Sequence, residues 1–314
     1  MHLIEVKQLN PYLIKKIISK TYQMIGFREK PLKDKIMISY FCEPSTRTSA
    51  SFQTAMIKLG GSVISLQGEN TSNQKGESLE DSIKTLNCYG DVIVLRHPEK
   101  GSAERASVVA SIPIINAGDG NGEHPTQALL DIFTIYDELK KRNINLYDDN
   151  RNEINITFMG DLKNSRTVHS LVKLITFFKK IKITYLPHNN LNIPRDIYEM
   201  VDESGLNQEE INIKQGEQMK YIEYLMTTDI LYMTRIQKER FENIDEFNKS
   251  NIIKPFQITN SNINYMKETA IIMHPLPRLE EISYMVDHND RCVYFNQVEN
   301  GVYVRMALLY EILL

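Results

Sequence analysis

IMISYFCEPSTRTSASF, residues 36 to 52, holds three kinds of sequence in one short stretch. Ile36 to Phe41 is a β-like apolar run, continued by Cys42. Ser45, Thr46, Arg47 and Thr48 then crowd hydroxyls and one cation just past its end, and a helical pattern runs from Ser51 to Leu59. A strand, then hydroxyls, then a helix gathers backbone N–H groups and the positive end of a helix dipole around one point. That arrangement holds phosphate, and Arg47 adds a bidentate fork. The same residues would also serve as an ordinary Ser/Thr helix cap. On its own the stretch permits both readings.

Outward from it, short β-rich runs alternate with helical patterns along nearly the whole chain. Strands are expected at Ile36–Cys42, Ser62–Leu66, Asp91–Leu95, Ile112–Asn116, Ile154–Gly160, Lys182–Leu186, Ile230–Thr234 and Ala270–His274. Helices are expected at Ser51–Leu59, Glu77–Tyr89, Pro125–Lys141, Arg166–Phe178 and Arg195–Glu203. Within the third of these, Leu129, Ile132, Phe133 and Tyr136 recur at helical spacing and mark a buried face. Such alternation predicts an α/β protein of two doubly wound parallel-sheet domains joined by helices. The polar, aperiodic KKRNINLYDDNRNE (140–153) is the strongest interior boundary signal. The amphipathic segment Val302–Leu314 is too short to be a domain and is expected to dock on one.

Composition narrows the function. With 314 residues, 42% hydrophobic and 25% charged, the chain suits a globular protein with a sizeable core. A net charge of −3 gives no basic field for nucleic acid or an acidic membrane. No apolar run approaches the ~20 residues that span a bilayer, and the first residues lack the layout of a signal or transit peptide. Cys42, Cys88 and Cys292 are odd in number and far apart, which argues against a disulfide framework or zinc site and for a reducing compartment. A cytoplasmic protein acting on small molecules is expected.

The polar clusters fall just beyond strand ends, where open α/β sheets collect ligands. GDGNGEHPTQALLD (118–131) invites comparison with a dinucleotide fingerprint, but Glu123 stands where the third glycine belongs. Its informative residues are His124 and Gln127, spaced i, i+3 at a helix start. LRHPEKG (95–101) sets Arg96 at the end of an apolar strand, where an unpaired charge is costly. MGDLKNSRTVHS (159–170) places Arg166 at a helix start, against the helix dipole. LYMTRIQKERF (231–241) supplies Arg235 and Gln237, and the prolines of IIMHPLPR (271–278) leave carbonyl oxygens for a ligand. ENTSNQKGES (69–78) presents Lys75 on what would otherwise be a solvated loop. The histidines show no metal-ligand spacing, and neither a P-loop nor a nucleophile elbow is present.

Together these motifs resemble the aspartate transcarbamoylases, in their eukaryotic form, over nearly the whole chain. The resemblance rests on STRT (45–48), QKGE (74–77), LRHP (95–98), HPTQ (124–127), GDLKNSRTVHS (160–170), MTRIQKER (233–240) and HPLPR (274–278). It implies a carbamoyl-phosphate domain over 1–130, with the C-terminal helix 301–314 packing back on it, and an aspartate domain over 131–300. It implies that Ser45, Thr46, Arg47 and Thr48 hold the phosphate of carbamoyl phosphate. Thr48, Arg96 and His124 would hydrogen-bond the carbonyl oxygen, and Gln127 with the Leu276 and Pro277 carbonyls would bind the carbamoyl amine. Arg166, Arg235 and Gln237 would grip the carboxylates of aspartate. Lys75, reaching across from a neighbouring subunit of a homotrimer with shared active sites, would join them in binding aspartate. No cofactor and no metal are implied. Ser49 after STRT and Thr71–Asn73 depart from the commonest bacterial pattern.

The chemistry agrees with those roles. A phosphate ester and a dicarboxylate must be brought together, so several cations have to converge, and Arg47, Lys75, Arg96, Arg166 and Arg235 all stand beyond expected strand ends. A rival transcarbamoylase using ornithine would need a pocket for a basic amine. A catalytically silent scaffold would be expected to have lost site residues, and every one named is present.

Overall fold

The computed structural model describes residues 1–67, 76–214, 216–217, 219–241 and 256–314. Two compact units divide the chain: Met1–Phe133 with Val298–Leu314, and Thr134–Gln297.

The first unit is built on a four-stranded parallel sheet of β1 (Ile36–Phe41), β2 (Ser62–Gln67), β3 (Val92–His97) and β4 (Ile114–Asp119), in the order β2-β1-β3-β4. Its helices are α1 (Pro11–Met24), α2 (Thr46–Lys58), α3 (Leu79–Leu86) and α4 (Ser102–Val109), with the start of α5 (Pro125–Lys141). Local chemistry sets their ends. Pro11 opens α1 while the Asn10 side chain accepts the Leu13 N–H at 2.9 Å, and Ser78 caps α3 through the Asp81 N–H at 3.1 Å. The expected helix Glu77–Tyr89 is accordingly shorter, starting after this cap. Both faces of the central strands are buried: Ile38, Tyr40, Ile93 and Leu95 pack with Leu79, Ile83 and Ala106, while Met37, Phe41, Val92 and Val94 are buried on the opposite face.

The second unit carries β5 (Ile154–Gly160), β6 (Ile181–Pro187), β7 (Asn207–Glu210), β8 (Ile230–Met233) and β9 (Ile271–Met273), all parallel, in the order β7-β6-β5-β8-β9. Between them lie α6 (Arg166–Ile175), α7 (Arg195–Ser204) and α8 (Met219–Thr227). Phe158, Tyr185 and Tyr232 stand in one register row, fully buried, with ring centroids 6.1 and 5.6 Å apart. The neighbouring row, Met159, Leu186 and Met233, joins the cluster around Tyr221, Ile258 and Ile272 on the other face. β7, Asn-Gln-Glu-Glu, escaped the pattern reading because an edge strand need not be apolar.

The last helix, α9 (Tyr294–Leu313), enters the first unit at Val298. There Arg305 donates to the Ser51 hydroxyl at 2.9 Å and lies over the Phe52 ring, 5.0 Å from its centroid, so α9 is fastened to α2.

Candidate active site

In the first unit, three segments follow the carboxyl ends of adjacent strands. Phe41 of β1 pairs in register with Arg96 of β3, so the residues after β1 and the Arg96 side chain leave the sheet at the same edge. Ser45 is the N-cap of α2, yet its side chain makes no capping bond. Thr48 is buried, Ser45 is half-buried, and Thr46 and Arg47 are exposed. Ser49, in the same helix, already has its hydroxyl engaged, accepting from Gln53 Nε2 at 2.8 Å.

Arg96 is held at the sheet edge. Its Nη2 lies 2.5 Å from Glu43 and its Nη1 donates to the Ala117 carbonyl at 3.3 Å. His124 ends the loop after β4, buried, with Nδ1 3.4 Å from the Thr126 hydroxyl; its carbonyl accepts the Gln127 N–H that opens α5. Gln127 is buried one turn farther on, its Nε2 donating to Asp131 at 2.9 Å. Asp119 organises the neighbouring loops, accepting from Gly101 N–H at 2.8 Å, Glu123 N–H at 2.9 Å and Asn116 Nδ2 at 3.1 Å. Gly120 fits because a Cβ there would stand 2.4 Å from the Pro98 carbonyl oxygen. Gly120 thus serves the close approach of two loops, and Gly122 leaves room for the Asp119 carboxylate.

In the second unit, Arg166 is the first residue of α6, buried, and preceded by Ser165, which makes no side-chain cap bond. Beyond β8 a short irregular segment carries Arg235 and Gln237 into the 3-10 turn Lys238–Arg240. Arg235 is engaged by Glu239 through both terminal nitrogens, which raises its pKa against the opposing effect of burial. Asp161, fully buried, joins the two segments: it accepts from the N–H of Asn164 at 3.0 Å and of Gln237 at 3.1 Å. Burial pushes its carboxyl upward, and these N–H groups and Arg235 oppose the shift.

Beyond β9, Leu276 and Pro277 sit in a loop with Leu276 at φ 55°. The loop is braced from within. His274 Nδ1 accepts the Leu276 N–H at 2.8 Å, its Nε2 meets Glu281 at 2.8 Å, and its backbone N–H donates to Gln297 at 3.0 Å. Arg278, part of the HPLPR motif, points into structure: it forks onto Asp287, donates to the Tyr294 hydroxyl at 2.7 Å and stacks 4.4 Å over Tyr284.

A cavity of about 410 Å³ also lies in this unit, walled by Met159, Tyr221, Met233, Phe256 and Tyr284. Thr234, Ile236 and Lys238 line it, whereas Arg235 and Gln237 do not. The cavity touches none of the expected site residues.

Ser45 to Thr48, Arg96, His124 and Gln127 thus share the first unit, and Arg166, Arg235, Gln237, Leu276 and Pro277 share the second. Lys75 and Thr71–Asn73 lie outside the described residues. Sequence reasoning did not single out Glu43, Asp119, Asp131, Asp161, Glu239 or Glu281. Most are acids whose partners are distant or lie on loops; only Asp131 and Glu239 carried a local signal, each four residues after its partner, Gln127 and Arg235. Among the described residues no group of acids, histidines and cysteines could hold a metal ion, and no helix is long and apolar enough to cross a membrane.

Two family models match the chain: aspartate/ornithine carbamoyltransferase, carbamoyl-P binding domain, over residues 1–137, and aspartate/ornithine carbamoyltransferase, Asp/Orn binding domain, over residues 152–312. The multifunctional protein pyr1-3 of Dictyostelium discoideum is 44% identical over 98% of this chain, but the match covers 13% of that protein. The multifunctional protein CAD of Squalus acanthias is 49% identical over 90% of the chain and 12% of its own length. The chain therefore spans about an eighth of these relatives. By contrast, the aspartate carbamoyltransferase catalytic subunit of Methanococcus vannielii is 41% identical, with 98% of this chain and 96% of that protein covered. Among solved structures, aspartate transcarbamoylase of Trypanosoma cruzi in complex with carbamoyl phosphate and aspartate superposes with a TM-score of 0.89 at 37% identity, covering 100% of this chain and 97% of that one.

Proposed function

This chain belongs to the aspartate/ornithine carbamoyltransferase family, and from that premise we propose that it transfers the carbamoyl group of carbamoyl phosphate to the amine of L-aspartate, giving N-carbamoyl-L-aspartate and phosphate for pyrimidine biosynthesis. Support comes from the Methanococcus catalytic subunit, matched end to end, and from the fold shared with the Trypanosoma enzyme bound to both substrates.

Residues 1–130 with the helix 301–314 are proposed to bind carbamoyl phosphate, and 131–300 aspartate. Ser45, Thr46, Arg47 and Thr48 take the phosphate, where the N-terminus of α2 adds its dipole. Thr48, Arg96 and His124 donate to the carbonyl oxygen. Gln127 and the Leu276 and Pro277 carbonyls accept from the carbamoyl amine. The neutral α-amine of aspartate attacks the carbonyl carbon, so a C–N bond forms and negative charge grows on the oxygen. Donors preorganised at that oxygen are worth about 2.7–4 kcal/mol each when well aimed. The C–O bond to phosphate then breaks, and the departing phosphate takes the amine proton, so no dedicated base is needed. Alignment of two bound substrates supplies much of the remaining acceleration.

The observation that favours aspartate over ornithine is the pair Arg166 and Arg235, placed just past the ends of the adjacent strands β5 and β8. Two guanidinium groups suit a dicarboxylate and repel a cationic side chain. Arg96 and Arg235 already engage a carboxylate each, Glu43 and Glu239, which is the chemistry they are proposed to offer substrate. A homotrimer with Lys75 contributed by the neighbouring subunit, in a reducing cytoplasmic compartment, completes the proposal; none of Cys42, Cys88 and Cys292 is in a disulfide. Carbamoylation assays with L-aspartate and L-ornithine side by side test it. Turnover with aspartate alone is expected; turnover with ornithine alone, or carbamoyl phosphate binding without turnover, would overturn it.

A further inference from the structure

Gln127 lies at the start of α5, and its amide Nε2 donates to the carboxylate of Asp131, 2.9 Å away on the next turn. Asp131 is wholly buried. A side-chain amide has a donor end and an acceptor end, and a half-turn about its last bond exchanges them. An ionised carboxylate only accepts, so it takes the NH2 end and turns Oε1 the other way. No described residue donates to that Oε1.

The charge on Asp131 is itself provided for. Arg305 of α9 lies buried near it, donating to the Ser51 hydroxyl and the Gly301 carbonyl and stacked on Phe52. Burial lowers the Arg305 pKa to about 10, and the attraction of Asp131 works against that loss. A buried carboxylate needs such a compensating cation to remain ionised at low cost.

We infer that Asp131 is a positioning residue: it fixes Gln127 as a hydrogen-bond acceptor, and so selects a ligand that offers an N–H donor there. The inference rests on the proposed contact between Gln127 and the carbamoyl amine, and deepens it. Without Asp131 the amide presents either end, and the distinction between an amine and a methyl group in the ligand is lost.

Calorimetry on the full chain with carbamoyl phosphate and acetyl phosphate reads this directly, because acetyl phosphate has a methyl where carbamoyl phosphate has its amine. The parent is expected to prefer carbamoyl phosphate. Asp131→Ala is expected to cut that preference about tenfold while changing acetyl phosphate affinity by less than about twofold. Equal loss for both ligands would indicate a merely structural role and overturn the inference, as would an unchanged preference. Asp131→Ala leaves Arg305 without its counter-charge, so if it gives no cooperative melt, Asp131→Leu with Arg305→Met carries the same test with both charges removed. Gln127→Ala separates the two levels. If it too keeps the preference, the role of Gln127 fails; if it loses the preference while the Asp131 variants keep it, only the role of Asp131 fails.

Discussion

The carboxylate of Asp161 accepts the backbone N–H of Gln237 at 3.1 Å, tying together segments 76 positions apart in sequence. The same carboxylate holds both the N–H and the side-chain amide of Asn164, at 3.0 and 3.1 Å, in the turn that leads to Arg166. One buried acid therefore fixes two of the three segments proposed to grip aspartate. Asp161→Ala strands two backbone donors, each at about 1–3 kcal/mol when left unsatisfied, and frees Gln237 to shift. The KM for aspartate is expected to rise at least about tenfold, while carbamoyl phosphate binding, whose proposed phosphate and carbonyl contacts all lie in the first unit, changes far less. Steady-state kinetics together with calorimetry check this, and an unchanged KM would remove Asp161 from the scheme.

Arg47 and Ser49 sit two residues apart and are expected to behave in opposite ways. Arg47 is exposed in the first turn of α2, where the dipole already favours an anion. Arg47→Ala should reduce kcat/KM by roughly 10²–10³ if it contributes as a charge-stabilising donor usually does. Arg47→Lys should recover part of that, as a point charge without the fork. The Ser49 hydroxyl is already bound to Gln53, so Ser49→Ala should stay within about twofold of the parent. Initial-rate carbamoylation assays on the three variants suffice. Near-normal turnover in Arg47→Ala would sink the phosphate assignment.

The alternation of apolar runs was enough to place eight of the nine strands among the described residues: most are buried along their length and so apolar, and the exposed edge strand β2 still carries Val63, Ile64 and Leu66. β7 escaped since its Asn-Gln-Glu-Glu sequence pairs on one side only. The candidate ligands were legible for a similar reason: an arginine directly after an apolar strand, as at Arg96 and Arg235, stands out against its neighbours. Their supports were not legible. Glu43 and Arg96 are partners across strands, and nothing in either local sequence announces the other. His274 and Arg278 illustrate the converse. Both belong to a motif that reads as a ligand loop, yet their side chains turn inward, to Glu281 and to Asp287.

Two glycines with similar backbone handedness should respond very differently to alanine. Gly160 ends β5 at φ +117°, and a Cβ there would come within 2.1 Å of the Thr234 carbonyl oxygen. Neither group yields without moving a strand, so Gly160→Ala is expected to destabilise by more than about 3 kcal/mol. Gly205 caps α7 at φ +75° with nothing within 4 Å of its added Cβ. Gly205→Ala meets only the backbone penalty, about 1 kcal/mol. Urea unfolding of both variants compares them directly. Equal midpoints would show that the approach of Thr234 to Gly160 is unimportant.

Acid should loosen the loop after β9. Burial pushes the Glu281 carboxyl up, but the His274 hydrogen bond and the backbone N–H of Leu279 outweigh it and leave the group below its ordinary 4.5. Asp287 is held below its ordinary 3.8 by Arg278, against a smaller effect of burial and with further help from the Tyr294 hydroxyl. A carboxyl with a depressed folded value binds fewer protons in the native state than in the unfolded one between the two values. Its stabilisation is therefore complete above the ordinary value and disappears as pH falls through the folded one. The midpoint of thermal unfolding should be flat from pH 7 down to about 5 as far as these two groups are concerned, then fall as both lose charge. Glu281→Gln should start lower at pH 7, by about 1–3 kcal/mol for the weakened contact with His274, and should fall less steeply between pH 5 and 3. Differential scanning calorimetry across that range tests the sign. A parallel decline in parent and variant would mean that Glu281 contributes no acid sensitivity.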